Sequence, residues 1–489
     1  MHKECDIVVI AGGPAGLAAA ITAAENEANV ILLEKSNTTG GAGNMGMGPL
    51  GVETSIQKSQ LIGITKEEAF AKFMEYTHWR SDARLVRDYI YKSADTIEWL
   101  QDMGVVFDGA YRYFPQSEAT WHIVKPESGV PGPRASSTMI RIMTERAEEI
   151  GVEIMLETPA KKIIRENGGI TGVVATGKNG QEIHIECSAV IVATGGFGDN
   201  PEMVKQFTNY ELGKSIHSFR IPGVTGDGLR MAWEAGAGKG RMDMEVAYNC
   251  PSELPTDTVK LVHNQPNLLV NLQGERFVNE EIMQNSTYTA NALFLQKEYC
   301  GFSIIDDSIK KYYGKNGVGT YNLVHQFTSI DDYDEQIKLA NDKKDPYIFS
   351  ASSLEELAEK TGIDRDNLLK TVDEYNKYCE TRDGLFNKDY RYMLPIKGPN
   401  YYAVKLYAGG YGSLGGIPIN YKTEVLTEMQ EVIPGLYAAG TDACSIYGDS
   451  YVFILPGNTM GFALNSGRIA GENAVEYLVE LYNDDEDEE

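Results

Sequence analysis

The chain has 489 residues, too many for one compact core, so two or three structural units are expected. It is 42% hydrophobic and 23% charged, and its net charge of −26 repels nucleic-acid phosphate and anionic lipid. No apolar run approaches a membrane span, and the N-terminus lacks the basic region, apolar core and cleavage site of a secretory signal. A cytoplasmic protein with neither a nucleic-acid nor a membrane partner is expected. The six cysteines are scattered without a C-x-x-C spacing, which argues against an iron–sulfur, zinc or c-type haem site, so no metal is expected.

The apolar run Asp6–Ile10 reads as a strand, followed by the glycine turn Ala11-Gly12-Gly13-Pro14-Ala15-Gly16 and a helix of small residues. A second apolar run, Val30–Leu33, ends at Glu34. Strand, glycine turn, helix, strand and acid form a dinucleotide-binding βαβ unit, in which pyrophosphate meets N–H groups at a helix N-terminus and the acid meets the ribose. Ala11 stands where the first glycine of the fingerprint is usual. A second glycine-rich loop, Thr39–Gly48, is more than a nicotinamide fold requires.

Further along, Ala189–Ala193 reads as a strand leading into Thr194-Gly195-Gly196, and Thr225-Gly-Asp-Gly228 opens a helix. From 241 to 388 the sequence is charged and tyrosine-rich, with a helical stretch at Ser352–Asp383. Within it, Gly274–Thr287 (GERFVNEEIMQNST) begins like a charged helix, and Tyr288 is expected one helical turn beyond Gln284, on the same face. Pro434–Asp442 and Leu455–Gly461 are two more glycine motifs, followed by a long helix after Met460 and an acidic tail, 484–489, expected to fray.

On these motifs, in this order and over nearly the whole length, the chain resembles the fumarate reductase/succinate dehydrogenase flavoprotein superfamily. The resemblance implies an α/β fold: a Rossmann-like FAD-binding domain of the GR2 type (1–240 and 389–489) with an inserted α+β capping domain (241–388). It implies bound FAD, with Ala11, Gly13, Pro14, Ala15 and Gly16 at the pyrophosphate and Glu34 and Lys35 near the ribose. Gly40, Gly41, Ala42, Asn44 and Met45 would lie along the flavin side. Ala160, Thr194, Gly195 and Asp227 would flank the adenosine half, and Gly440, Thr441, Asp442, Gly457, Asn458 and Thr459 the isoalloxazine. No histidine occurs between His2 and His78, so the FAD is expected to be noncovalent. With no second nucleotide fingerprint and no haem or cluster motif, a separate electron donor or acceptor is expected.

The sequence departs from the fumarate reductase pattern where the chemistry sits. Gln284 occupies the position of the proton-delivering arginine, and a neutral amide cannot cycle as an acid. Lys260 and His263 stand near the positions where the family has the glutamate and the arginine of its proton relay. A histidine and an arginine that clamp a dicarboxylate are replaced by Gly412 and Ile454. Aromatic residues take their place, which suits a small-molecule substrate that is apolar or aromatic and not a small dicarboxylate.

Candidate catalytic residues are Tyr411, Tyr451 and Tyr288; candidate substrate-binding residues are Gln284, Tyr248, Ser413 and Phe453. The expected activity is FAD-dependent hydride transfer between flavin N5 and a carbon–carbon bond conjugated to a carbonyl, with a tyrosine as acid or base. The alternatives are an amine or amino-acid oxidase of the same superfamily and a non-catalytic flavin electron carrier.

Overall fold

A computed structural model describes residues 1–219, 221–318 and 329–488, the last five of these without their side chains. Four consecutive buried apolar residues form β1 (Ile7–Ile10), which leads into α1 (Pro14–Glu25) and back to β2 (Val30–Leu33). Continuous apolar runs of this kind belong to parallel sheets covered on both faces. Accordingly, β1 pairs in parallel with β2 and with β4 (Ala189–Val192), and β2 with β3 (Glu153–Met155). The strand Val432–Ala438 adds to β4 in parallel, and Glu424–Leu426 closes that edge antiparallel.

Over this sheet α1 packs against the long C-terminal helix α2 (Asn458–Glu488). Small residues set the spacing: a Cβ at Gly467 would overlap the Ala15 carbonyl oxygen, and one at Gly471 would lie 2.6 Å from that of Ala19. The α2 backbone runs on through Glu488, so acidic residues expected to fray continue the helix, one backbone hydrogen bond per residue.

A second sheet is organised by one long strand, β6 (Tyr401–Gly416). Its first half pairs with Cys300–Asp306 and Ile348–Ala351, its second half with β5 (Asp243–Asn249) and Ala443–Cys444. One continuous strand thus joins the capping segment to the glycine motifs near the C-terminus.

The expected helix at Ser352–Asp383 is two helices, Leu354–Thr361 and Arg365–Glu380. Gly362 closes the first in the left-handed conformation (φ 75°), and Asp364 caps the second through the Asn367 N–H. The segment from Gly274 also departs from a helical start. Arg276 bridges back to Val270, a single 3-10 stretch covers Glu280–Gln284, and Asn285 (φ −97°, ψ 106°) caps a new helix, Ser286–Phe294. Gln284 and Tyr288 therefore do not share a helical face, because extended backbone at Asn285 separates them.

Among the described residues no helix is long and apolar enough to cross a membrane, and no cluster of histidine, cysteine and acidic residues could hold a metal.

Candidate active site

The nucleotide end is built from the β1–α1 turn. Ala11 takes φ 84°, the left-handed region that a fingerprint glycine occupies without strain. Gly16 has no room for a side chain, since a Cβ there would overlap the Ala11 carbonyl oxygen. Gly13 is the reverse: a Cβ there meets nothing within 4 Å, and Gly13 begins α1 with no side-chain cap. Open space before an uncapped helix N-terminus is the cradle a pyrophosphate needs. Glu34 is buried at the end of β2, its carboxylate accepting from the N–H groups of Gly12 (2.8 Å) and Ser36 (2.7 Å). The chain after β3 returns to Glu34, whose carbonyl accepts the Thr158 N–H, and this brings Ala160 to the same end of the sheet.

The second glycine loop packs on the first. Gly40 (φ 100°) precedes the 3-10 turn Gly41–Met45, and a Cβ at Gly43 would overlap the Pro14 ring. The Asn44 amide donates to the Thr39 carbonyl at 2.9 Å, so it holds the loop's shape, while Gly41 faces open space. Lys35 and Asp227 form an ion pair at 2.7 Å, and Lys35 also donates to the Gly223 carbonyl. Burial would raise the Asp227 pKa, but Lys35, Thr225 and Arg230 hold it below the usual carboxylate value.

Asp442 is fully buried, and its carboxylate accepts from the Thr194 N–H, the Thr194 hydroxyl (2.9 Å) and the Gly196 N–H (2.8 Å). It ties two motifs far apart in sequence into one loop pair. Gly440, at φ 65°, lies against Ala15 of α1, where a Cβ would come within 2.9 Å of the Ala15 Cβ.

The N-terminus of α2 follows Gly457 (φ 85°), where a Cβ would lie 2.7 Å from the Leu50 nitrogen. Asn458 is buried; its Oδ1 accepts from the hydroxyls of Tyr89 (2.8 Å) and Tyr447 (3.2 Å). Its Nδ2 has no hydrogen-bond partner among the described residues, a donor held ready for a carbonyl oxygen. The open cradle at Gly13 and this orphan donor fit FAD, whose pyrophosphate and ring carbonyls would supply acceptors there.

Beyond this end the walls are aromatic. Tyr113 packs edge-on against Phe453 (4.7 Å between centroids), Phe453 lies parallel to Phe114, and Tyr288 stacks on Tyr76 at 5.3 Å. Tyr411 joins them through a break in the ladder: Glu245 of β5 pairs with Gly412, but Val246 pairs with Gly410, so Tyr411 is the extra, unpaired residue. A bulge breaks the alternation of faces and re-aims the side chain. Tyr411 retains 43% exposure while protein surrounds it, and its hydroxyl bonds no described residue. Burial, with Glu245 and Tyr113 beside it, pushes its pKa up to about 12.

The other candidates divide. The buried Tyr451 hydroxyl accepts the Thr459 N–H at 3.1 Å, which ties it to the start of α2. The Tyr248 hydroxyl donates to the carbonyls of Met283 (2.9 Å) and Asn264 (3.1 Å), a structural duty. The buried Ser413 hydroxyl accepts from the Phe197 N–H at 3.0 Å and braces that loop. Gln284 is buried, its amide donating to the Tyr392 hydroxyl at 3.3 Å while its Oε1 has no described partner. Lys260 reaches the Ser252 carbonyl, and His263 is fully buried between Ser303 and Tyr333. Burial lowers the His263 pKa to about 3, so its imidazole is uncharged at neutral pH.

One residue escapes the motifs altogether. Glu245 is 6% exposed, and its carboxyl accepts from the Thr459 hydroxyl at 3.2 Å. Burial raises its pKa to about 8, opposed only by that hydrogen bond. The available signal was an acid between Met244 and Val246 in an otherwise buried strand.

The FAD binding domain family matches residues 6–459. The chain is 34% identical over 490 residues to the vinyl phenol reductase of Lactiplantibacillus plantarum, covering 97% of each chain. It is 29% identical to the urocanate reductase of Eggerthella lenta, over 97% of this chain and 75% of that one. The open conformation of a flavocytochrome c3 fumarate reductase superposes with a TM-score of 0.72 at 26% identity, over 97% of this chain and 78% of that one. The chain thus belongs to the fumarate reductase/succinate dehydrogenase flavoprotein superfamily, as an FAD-dependent oxidoreductase of the class acting on CH–CH groups.

Proposed function

We propose that the protein reduces a carbon–carbon double bond conjugated to a carbonyl or an aromatic ring in an apolar, largely uncharged substrate. The observation that carries this reading is the aromatic wall of Tyr113, Phe453, Tyr76, Tyr288 and Tyr411 in place of a dicarboxylate clamp. The Glu245 Oε2 lies 3.5 Å from where a Cβ on Gly412 would be, so an acid borders the space of the missing histidine. A substrate carboxylate brought there would find no cation among the groups that face Glu245. The similarity to a vinyl phenol reductase and a urocanate reductase supports reduction of an alkene other than a small dicarboxylate.

When bound and reduced by the external donor, FAD would supply a hydride to one carbon of the double bond. The protein's part is to hold the other carbon within reach of a proton, and we assign the proton to Tyr411. Its hydroxyl has no described partner to surrender, and its raised pKa keeps it protonated at neutral pH. Tyr113, Phe114 and Phe453 exclude water from one side of the cleft. Electrons reach the site from a separate donor.

The test is reoxidation of the photoreduced, FAD-loaded enzyme, mixed anaerobically with a vinyl phenol, aryl enoates, cyclic enones and fumarate. Fast reoxidation by the apolar conjugated alkenes is expected. Fast reoxidation by fumarate alone overturns the reading.

A further inference from the structure

Glu245 is not used by the proton chemistry assigned to Tyr411, yet its setting is that of a group that changes charge. It is buried on β5 with Thr459, on the first turn of α2, as its hydrogen-bond donor. Among the described residues, the ionisable groups facing it are Tyr411 of β6, Cys444 of the strand Ala443–Cys444, and Tyr447 and Tyr451 ahead of α2. All four are neutral at neutral pH, and burial raises the pKa of each. No described cation offsets a carboxylate there. The first turn it touches carries the orphan Asn458 donor, the end of α2 assigned above to the flavin ring.

We propose that Glu245 is a redox-linked acid: it takes up a proton from solvent when bound FAD is reduced and releases it when FAD is reoxidised. The two electrons come from the external donor; one O–H bond forms on the Glu245 carboxylate and breaks again on reoxidation. The driving force is electrostatic, because negative charge added beside the first turn of α2 penalises a second, unpaired carboxylate in the same low-dielectric space. With its carboxyl already pushed up to about 8 by burial, uptake is expected at and above that pH. The inference rests on the flavin ring lying against α2 and not on the substrate class.

The test is the midpoint potential of the FAD-loaded protein as a function of pH, without substrate, for the parent and Glu245→Gln. The two potentials are expected to agree near pH 6. Above about pH 8 the parent should fall more steeply by one proton per two electrons, a tenfold change in the reduction equilibrium, or about 30 mV, per pH unit. Glu245→Asp should restore the steep segment. Reduced-minus-oxidised infrared spectra of the parent read the same event without a variant, so a poorly folded Gln variant does not leave the question open. A protonated-carboxyl band should appear on reduction at pH 9 and be absent at pH 6. Parallel potentials in parent and Gln variant, or no such band at pH 9, overturn the proposal; neither result depends on which alkene is reduced.

Discussion

Arg276 donates to both oxygens of Asp383, 107 residues further along the chain, at 2.9 and 3.0 Å, while its remaining donors reach Glu280 at 2.8 and 2.7 Å. Its guanidinium faces the rings of Tyr375 and Phe386 at 5.1 and 5.4 Å, and Lys388 completes the cluster at 3.5 Å from Glu280. The arginine of the GERF motif is thus a clasp that closes the capping segment on its own far end. Removing one partner of a buried network leaves the others uncompensated. Arg276→Ala is expected to destabilise the protein by about 3–5 kcal/mol, measured by chemical denaturation. Arg276→Lys should recover only part of that, since an ammonium cannot reproduce the two-sided fork.

The same clasp sets an acid limit. Burial would raise the Asp383 pKa, but its hydrogen bonds from Arg276 and from the Lys388 and Leu385 N–H groups hold it down to about 2. A depressed acid contributes stability above its unfolded value, near 4, which is lost as pH falls towards 2. The denaturation midpoint of the parent should drop across that window, and the Arg276→Ala variant should show a flatter profile there.

Glu245 acts in the opposite sense. Its folded pKa of about 8 lies above the unfolded value of 4.5, so the native state binds the extra proton between those limits. Stability contributed by the protonated form falls as pH rises through this window, by at most about 1.4 kcal/mol per pH unit, and levels off above it. Glu245→Gln is expected to match the parent near pH 4.5 and to exceed it increasingly up to pH 8, as read by thermal unfolding of the FAD-free protein.

Two tyrosines separate catalysis from scaffolding. Tyr411→Phe should leave FAD binding intact and slow alkene reduction by about 10²–10⁴-fold, the range for a lost general acid. Tyr248→Phe removes a hydroxyl bonded to the buried Met283 carbonyl and to the Asn264 carbonyl, and should cost about 1–3 kcal/mol of stability, with a smaller effect on turnover in the folded fraction. Stopped-flow flavin reoxidation and unfolding curves on both variants distinguish the two roles.

The cofactor frame was legible because its motifs are local: β1, the glycine turn and Glu34 occupy one short stretch whose backbone requirements appear directly as residue types. The positive φ of Ala11 even explains why glycine is usual there. The proposed catalytic residues were not legible in the same way. Tyr411 owes its placement to a slip in the pairing of residues more than 160 positions apart, Glu245 with Gly412 and Val246 with Gly410, and Glu245 to the partner strand of that slip. Gln284 and Tyr288 were assigned one face from spacing alone, but the Asn285 side chain caps the second helix and resets the periodicity. Tyrosine hydroxyls were equivalent in the sequence; only hydrogen-bond partners such as the Met283 carbonyl sort them.

Whether one residue separates this protein from dicarboxylate chemistry can be tested at Gln284. Its side chain is buried, its amide donating to the Tyr392 hydroxyl and its Oε1 without a described partner. Among the described residues the Gln284 amide bonds only the Tyr392 hydroxyl, so a guanidinium in its place would start with one acceptor for five donors, and Gln284→Arg is expected to lower stability by several kcal/mol, read by denaturation. It should not confer fumarate reduction, because Gly412 and Ile454 offer no charge to hold a dicarboxylate and Glu245 borders the Gly412 position. Anaerobic reoxidation by fumarate should remain as slow as in the parent. Rapid fumarate turnover by this single variant would show that substrate choice rests on the proton donor alone, and the role given to the missing clamp would fall.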